Sequence, residues 1–189
     1  MTMAYLKLPL ITALLALTGC SSTPSQPKLN QLHNEVGKLN KEMRQLTRQA
    51  GAVEQQGLLN SGSTQGAWLL PQANTAVILK SQAGDLTLSL GSVKPEANGT
   101  RAVLTIRAAG NAPLPAFSAE VEWGELDGAT GKPLSISSQA RKIEVASSLL
   151  PRSTVSVPLH LGNLSPGLLG YVRVHDVIAA PAETSPAAP

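Results

Sequence analysis

The amino-acid sequence predicts a mainly β protein, an antiparallel two-sheet sandwich preceded by an N-terminal heptad helix. Three observations carry that expectation. Apolar residues recur at spacings of three and four from Leu29 to Val53, and then alternate with polar ones at a period of two from Leu86 to Leu161. Clusters of Gly, Pro, Asn and Asp separate the alternating runs.

The first segment, residues 1–19, has the composition of a cleaved signal peptide. Lys7 is its one cation, and the apolar run Leu8 to Leu17 is interrupted by Pro9 and Thr12. A membrane-spanning helix needs roughly 20 apolar residues, whereas a signal-peptide core needs about 7 to 15 followed by small residues, which Thr18 and Gly19 supply. Cys20, the single cysteine, comes next, and the polar stretch Ser21 to Pro27 follows it as a tether.

Leu17-Thr18-Gly19-Cys20 resembles the lipobox of bacterial lipoproteins. The resemblance implies that the Cys20 sulfur receives a diacylglyceryl group, that the leader is cut before it, and that its new amine is acylated. Each buried methylene contributes about 0.8 kcal/mol, so several acyl chains anchor a protein firmly where one holds it only marginally. In enterobacterial lipoproteins an aspartate directly after the cysteine favours retention at the inner membrane. Ser21 stands there, which implies the periplasmic side of the outer membrane. The covalent lipid on Cys20 is the one added group expected; no cofactor is.

Residues 28–57 form the heptad helix. Leu29, Leu32, Val36, Leu39, Met43, Leu46, Ala50 and Val53 occupy alternating a and d positions. Pro27 suits the helix start, and Gly57 with Asn60-Ser61-Gly62-Ser63 suits its end, giving a stalk of roughly 40 Å at 1.5 Å per residue. The seam expects a partner: copies of itself, another envelope protein, or the chain's own globular part. Flanking charges do not choose among these, because Glu35, Glu42 and Gln49 at g face Asn40, Thr47 and Glu54 at e. Gly37 and Gly51 each cost about 1 kcal/mol relative to alanine, so the helix calls for support from outside itself.

Residues 58–66 read as a linker and 67–178 as the sandwich. Leu86, Leu88 and Leu90 point one way, as do Ala102, Leu104 and Ile106; Phe117, Ala119, Val121 and Trp123; and Val155, Val157, Leu159 and Leu161. One face inward and one polar face outward is the pattern of antiparallel sheets. Seven or eight short strands follow from the turn signals at Lys94-Pro95, Asn98-Gly99, Gly110 to Pro113, Asp127-Gly128, Gly131 to Pro133, Pro151 and Ser165 to Gly167. Leu164-Ser165-Pro166-Gly167 leading into Tyr171 resembles the Greek-key corner of immunoglobulin/fibronectin III-like sandwiches, and implies a Tyr171 hydroxyl bonded back to the corner backbone. The leucine-to-tyrosine spacing is one residue longer than in that pattern. Residues 179–189 are rich in Ala and Pro and read as a disordered tail.

Charge excludes one class of partner. The formal net charge is +3, but from Leu58 onward nine Lys or Arg balance nine Asp or Glu. Without a basic stripe or stacking aromatics, nucleic acid is not an expected partner.

Catalytic and metal signatures are likewise missing from the sequence. His33 sits on a heptad flank and His160 on a polar strand face; His175 and Asp176 are adjacent, so regular alternation sends them to opposite sides of a strand. No nucleophile elbow and no close Cys or His pair supports an enzyme or a metal centre. Glu120, Glu122, Glu125 and Asp127 form the densest charge feature and a possible interaction face. Glu120 and Glu122 share a strand face, open to a hard cation or a cationic partner, or paired across strands with Arg101 or Arg107.

The lipobox, the heptad helix and the region from Gly66 to Ile178, including Gly66-Ala67-Trp68-Leu69-Leu70-Pro71, Pro113-Leu114-Pro115-Ala116-Phe117 and Val121-Glu122-Trp123-Gly124, together resemble the YajI-like family of uncharacterised proteobacterial lipoproteins. The resemblance implies an envelope lipoprotein and brings no activity. The expected role is a non-catalytic sandwich held at the membrane for protein contacts. The alternative is a cell-wall glycan or small-ligand binding module, against which stands the shortage of aromatics: Trp68, Phe117, Trp123 and Tyr171, with Phe117 and Trp123 on an inward face.

Overall fold

The computed structural model describes residues 26–63 and 66–181. The expected signal peptide, Cys20, the tether up to residue 25 and the tail residues 182–189 lie outside the described residues. The chain divides into two compact units, Met1–Lys41 and Glu42–Pro189. The described part of the first is helical. The second contains the rest of that helix and all the strands.

One helix, α1 (Gln26–Ser61), precedes eight strands. These are β1 (Ala67–Leu69), β2 (Val77–Ser81), β3 (Gly84–Glu96), β4 (Gly99–Ala108), β5 (Phe117–Gly124), β6 (Gln139–Val145), β7 (Thr154–Gly162) and β8 (Tyr171–Ala179). Residues from Leu58 onward, expected in a linker, supply the last turn of α1. The strands form two four-stranded sheets, β1-β8-β5-β6 and β2-β3-β4-β7, in which every pairing is antiparallel.

The inward runs expected from the sequence face one another. Leu86, Leu88, Leu104, Ile106, Val121, Val172 and Val174 are almost wholly buried, and Phe117, Trp123, Leu159 and Leu161 join them between the sheets. Val155 and Val157, at the start of β7, are half-buried. The Trp123 indole N–H donates to the Gly162 carbonyl at 3.3 Å, so the ring crosses from one sheet to the other. Apolar burial at about 25 cal/mol per Å² is the main stabilising term here.

The turns follow local chemistry. Asn98-Gly99 closes the β3–β4 hairpin, with Glu96 paired to Gly99. The corner after β7 is pinned where the buried Thr100 hydroxyl donates to the Leu164 carbonyl at 2.7 Å. Tyr171 begins β8 beyond that corner, but its hydroxyl does not return to the corner backbone. It donates to the Glu122 carboxylate at 3.0 Å, because Tyr171 lies on the outer face of its sheet, away from the inter-sheet core. Two outer strands, β6 and β7, end their sheets on the same side; Arg141 and Lys142 are exposed on β6, and Pro158 lies within β7.

Within the second unit, α1 packs on the outer face of the β1-β8-β5-β6 sheet. Ala52 and Leu59 meet Leu70, Ala73, Tyr171, Trp68 and Leu126 in a small separate core. Polar clamps flank it. The Leu70 amide donates to Gln56 Oε1 at 2.8 Å while Gln56 Nε2 donates to Thr75 Oγ1 at 2.9 Å. Asn60 exchanges two hydrogen bonds with the Trp68 backbone, and Gln55 Nε2 donates to the Gly131 carbonyl.

Gln56 is almost completely buried. Replacing it with leucine removes the partner of a buried amide, which costs roughly 1–3 kcal/mol. Gln56→Leu should therefore lower stability by that amount in denaturant titration, and hydrogen exchange at the Leu70 amide should quicken.

Candidate functional site

Two surfaces are candidates for function: the heptad seam of α1 and the outer face of the β1-β8-β5-β6 sheet. In the second unit the seam does not pack on the sandwich. In the first unit Leu29, Leu32, Val36 and Leu39 are each about half or more exposed, and in the second unit Met43, Leu46, Ala50 and Val53 are exposed as well. The docking residues Gln49, Ala52, Gln55, Gln56 and Leu59 fall at c, f and g instead, a different stripe of the helix. Within the second unit, the intramolecular partner considered for the seam is thus replaced by an intramolecular contact of the neighbouring face. Gly37 and Gly51 have open space where a Cβ would stand, so neither serves a close approach.

On the sheet, cross-strand register builds the second surface. Trp68 on β1 pairs with Arg173 on β8, and Arg173 with Glu122 on β5; one step along, His175 pairs with Glu120, and Glu120 with Lys142 on β6. The Arg173 guanidinium lies 4.9 Å from the centroid of Trp68, whose ring sits 5.0 Å from that of Tyr171. Gly124 faces Tyr171 in the register, and a Cβ there would stand 3.0 Å from the ring. Its missing side chain is what admits the aromatic.

Glu122 gathers this face. It accepts from Ser138 and Tyr171, pairs with Arg173 at 3.2 Å and lies 3.8 Å from His175 Nε2. Burial pushes its pKa up, but the hydrogen bonds from Ser138 and Tyr171 and the Arg173 charge outweigh that, and the net shift is downward. Tyr171 is pushed up by burial, with the adjacent Glu122 carboxylate adding to the rise. Glu122 is therefore a bonded, partly buried anion. The pairing with Arg101 or Arg107 does not form, because both arginines lie on β4 in the other sheet.

The four acids suggested as one interaction face separate. Glu120 and Glu122 stay on the sheet, whereas Glu125 and Asp127 lie in the segment after β5. Asp127 accepts from the Thr130 hydroxyl and from the Ala129 and Thr130 amides, which hold its carboxyl below the usual range. It closes a turn.

His175 and Asp176 correct the alternation argument. Their side chains meet on one face, His175 Nδ1 to Asp176 Oδ2 at 2.9 Å. The reason is a β-bulge. Glu120 pairs with His175 but Ser118 with Ile178, so two residues of β8 oppose one of β5, and Asp176 takes a left-handed backbone with φ 49°. Val174 and Val177 both turn to the core in consequence. Ser138, the hydroxyl in this cluster, donates to Glu122 and not to the imidazole.

His160 Nδ1 meets Glu96 at 2.9 Å on the exposed side of the other sheet, and His33 is exposed on the helix. Cys20 lies outside the described residues. Sequence reasoning missed Arg173, Ser138 and Gln56. Arg173 alternates with Tyr171 and His175 and so was readable as outward-facing, but nothing local shows that Glu122 stands opposite it.

The model of the family described as a protein of unknown function, DUF3251, matches residues 23–183. The chain belongs to this family. It is 38% identical over 171 residues to the uncharacterized lipoprotein YajI of Escherichia coli K12, covering 90% of this chain and 94% of that protein. The solution structure of the E. coli lipoprotein superposes on this DUF3251 member with TM-score 0.65 at 39% identity, over 70% of this chain and 79% of the other. The trimeric lipoprotein SadB of Salmonella enterica matches with TM-score 0.51 over 80% of each chain at 22% identity, a likeness of fold. The resemblance to YajI-like lipoproteins holds, and with it the two-sheet architecture. Among the described residues no helix is long and apolar enough to cross a membrane.

Because the folded pKa of Glu122 lies below its ordinary value of 4.5, the carboxylate stabilises the fold above that pH. That contribution is lost as pH falls through the folded value. Glu122→Ala should destabilise at neutral pH by about 1.5–3 kcal/mol, the range for hydrogen bonds to charged groups. The gap between wild type and variant in thermal unfolding should narrow steadily below pH 4.5.

Proposed function

We propose that this family member is a lipid-anchored protein of the bacterial envelope, outer-membrane and periplasmic in placement, whose helix assembles copies of the chain in parallel. Its sandwich is then a non-catalytic display domain for protein contacts. The exposed apolar seam from Leu29 to Val53 carries this reading, since an a/d stripe exposed along a helix is the surface a second copy's stripe fits.

Anchoring and assembly support each other physically. A lipid on Cys20 would hold every copy with its helix N-terminus at the membrane, so the seams meet in parallel and in register. Confinement raises the effective concentration and so reinforces association through the seam. Leucine at three of the four d positions suits a two-stranded coil, while the trimeric description of the similarly folded SadB favours three strands. The family resemblance at 38% identity to a lipoprotein supports the anchor, and Ser21 supports the outer membrane over the inner.

Two measurements test the parts separately. Mass spectrometry of the native protein should find a chain starting at acylated Cys20, and Cys20→Ser should lose that mass and leave the membrane-anchored fraction; an intact leader with a free thiol rules the anchor out. Light scattering in detergent should give a dimer or trimer for the wild type and a monomer for Leu39→Asp. A wild-type monomer, or a variant with unchanged mass, rules out assembly through the seam.

A further inference from the structure

The bulge in β8 does more than rephase the strand. It turns two consecutive side chains, His175 and Asp176, out of the same face, directly beside Glu120 on the neighbouring strand. An imidazole nitrogen and two carboxylate oxygens thereby lie within 4.8 Å of one another. We propose that Glu120, His175 and Asp176 bind a divalent metal ion of the zinc class, with water completing its coordination.

The donor set and the spacing both suit such an ion. One imidazole and two carboxylates match the nitrogen and oxygen ligands of zinc, which binds them at roughly 2.0–2.2 Å. Two ligands at that radius on a tetrahedral ion stand about 3.3 Å apart, from the same distances. The His175–Asp176 separation of 2.9 Å needs to open only slightly, and Glu120 needs to swing inward by a side-chain rotation. A hard ion such as magnesium prefers oxygen ligands alone, which the imidazole argues against.

The surroundings hold the ligands without occupying them. Glu122, the nearest other acid, is bonded to Ser138, Tyr171 and Arg173, so it acts as a fixed neighbour 3.8 Å from His175 Nε2. Arg173 leans on Glu122 and Trp68, and Lys142, opposite Glu120, reaches Glu144 at 3.8 Å. Gly66 passes so close that a Cβ would stand 2.8 Å from the Cβ of His175, which fixes the base of the imidazole. His175 is mostly shielded while Asp176 is mostly exposed, giving an ion a built floor and an open approach.

Zinc chloride titrated calorimetrically into the chelator-treated, full-length chain in detergent tests this. The wild type should bind one equivalent of Zn²⁺. Asp176→Asn, Glu120→Gln and His175→Gln should each weaken binding by at least about tenfold, the loss that removal of even an outer partner brings to a metal site. Asparagine tolerates the left-handed backbone that Asp176 adopts, so Asp176→Asn removes a ligand and preserves the bulge. His160→Gln, which removes the His160–Glu96 pair, should bind like the wild type. No binding by the wild type overturns the proposal, as does binding that survives all three ligand variants or disappears with His160→Gln. Zn²⁺ should also raise the unfolding temperature of the wild type and leave that of Asp176→Asn unchanged; an equal rise in both counts against the site.

Discussion

The side-chain amide of Gln56 determines which stripe of the helix meets the sandwich. Buried between the Leu70 amide and the Thr75 hydroxyl, it has no other orientation that satisfies both its donor and its acceptor. With that contact made, Ala52 and Leu59 must lie against Tyr171 and Trp68, and the a/d stripe must turn elsewhere. A hydrophobic seam on its own would be drawn to the nearest apolar surface. Polar contacts on the adjoining stripe prevent this, because rotating the helix would leave several buried hydrogen-bonding groups without partners.

A second constraint lies beneath the helix. The outer side of a sandwich sheet is ordinarily a solvated surface, yet here it carries Tyr171, Trp68 and Arg173 in contact, held by an anion at Glu122. The chain places a charge among rings because Ser138, Tyr171 and Arg173 compensate its lost hydration. This sheet consequently has two cores, one on each side. The aromatics that a glycan site would need are spent in them: Phe117 and Trp123 between the sheets, Trp68 and Tyr171 under the helix.

Much of the architecture was legible in the residues. The alternation of Leu86 to Leu90, Ala102 to Ile106 and Phe117 to Trp123 identified the inward faces, since one side of each strand is uniformly apolar. β6 was less visible because Arg141 and Lys142 interrupt its pattern, leaving Ile143 and Val145 as its buried residues. The site was harder to see. Glu120 and Glu122 were recognisable as sharing a face, but their partners come from a strand some fifty residues later, and register is not encoded locally. The meeting of His175 with Asp176 depends on a single left-handed residue, which simple alternation does not anticipate. The place of Tyr171 after a corner is local in the sequence, whereas its bond is decided by which acid stands across the sheet.

Chains tethered side by side on a bilayer would also bring their sandwich flanks together, and an unfinished sheet margin invites main-chain pairing between molecules. Pro158 withholds an amide from one such margin, and Arg141 and Lys142 place exposed charge along the other. Crowding at a membrane would then meet two margins that resist main-chain pairing.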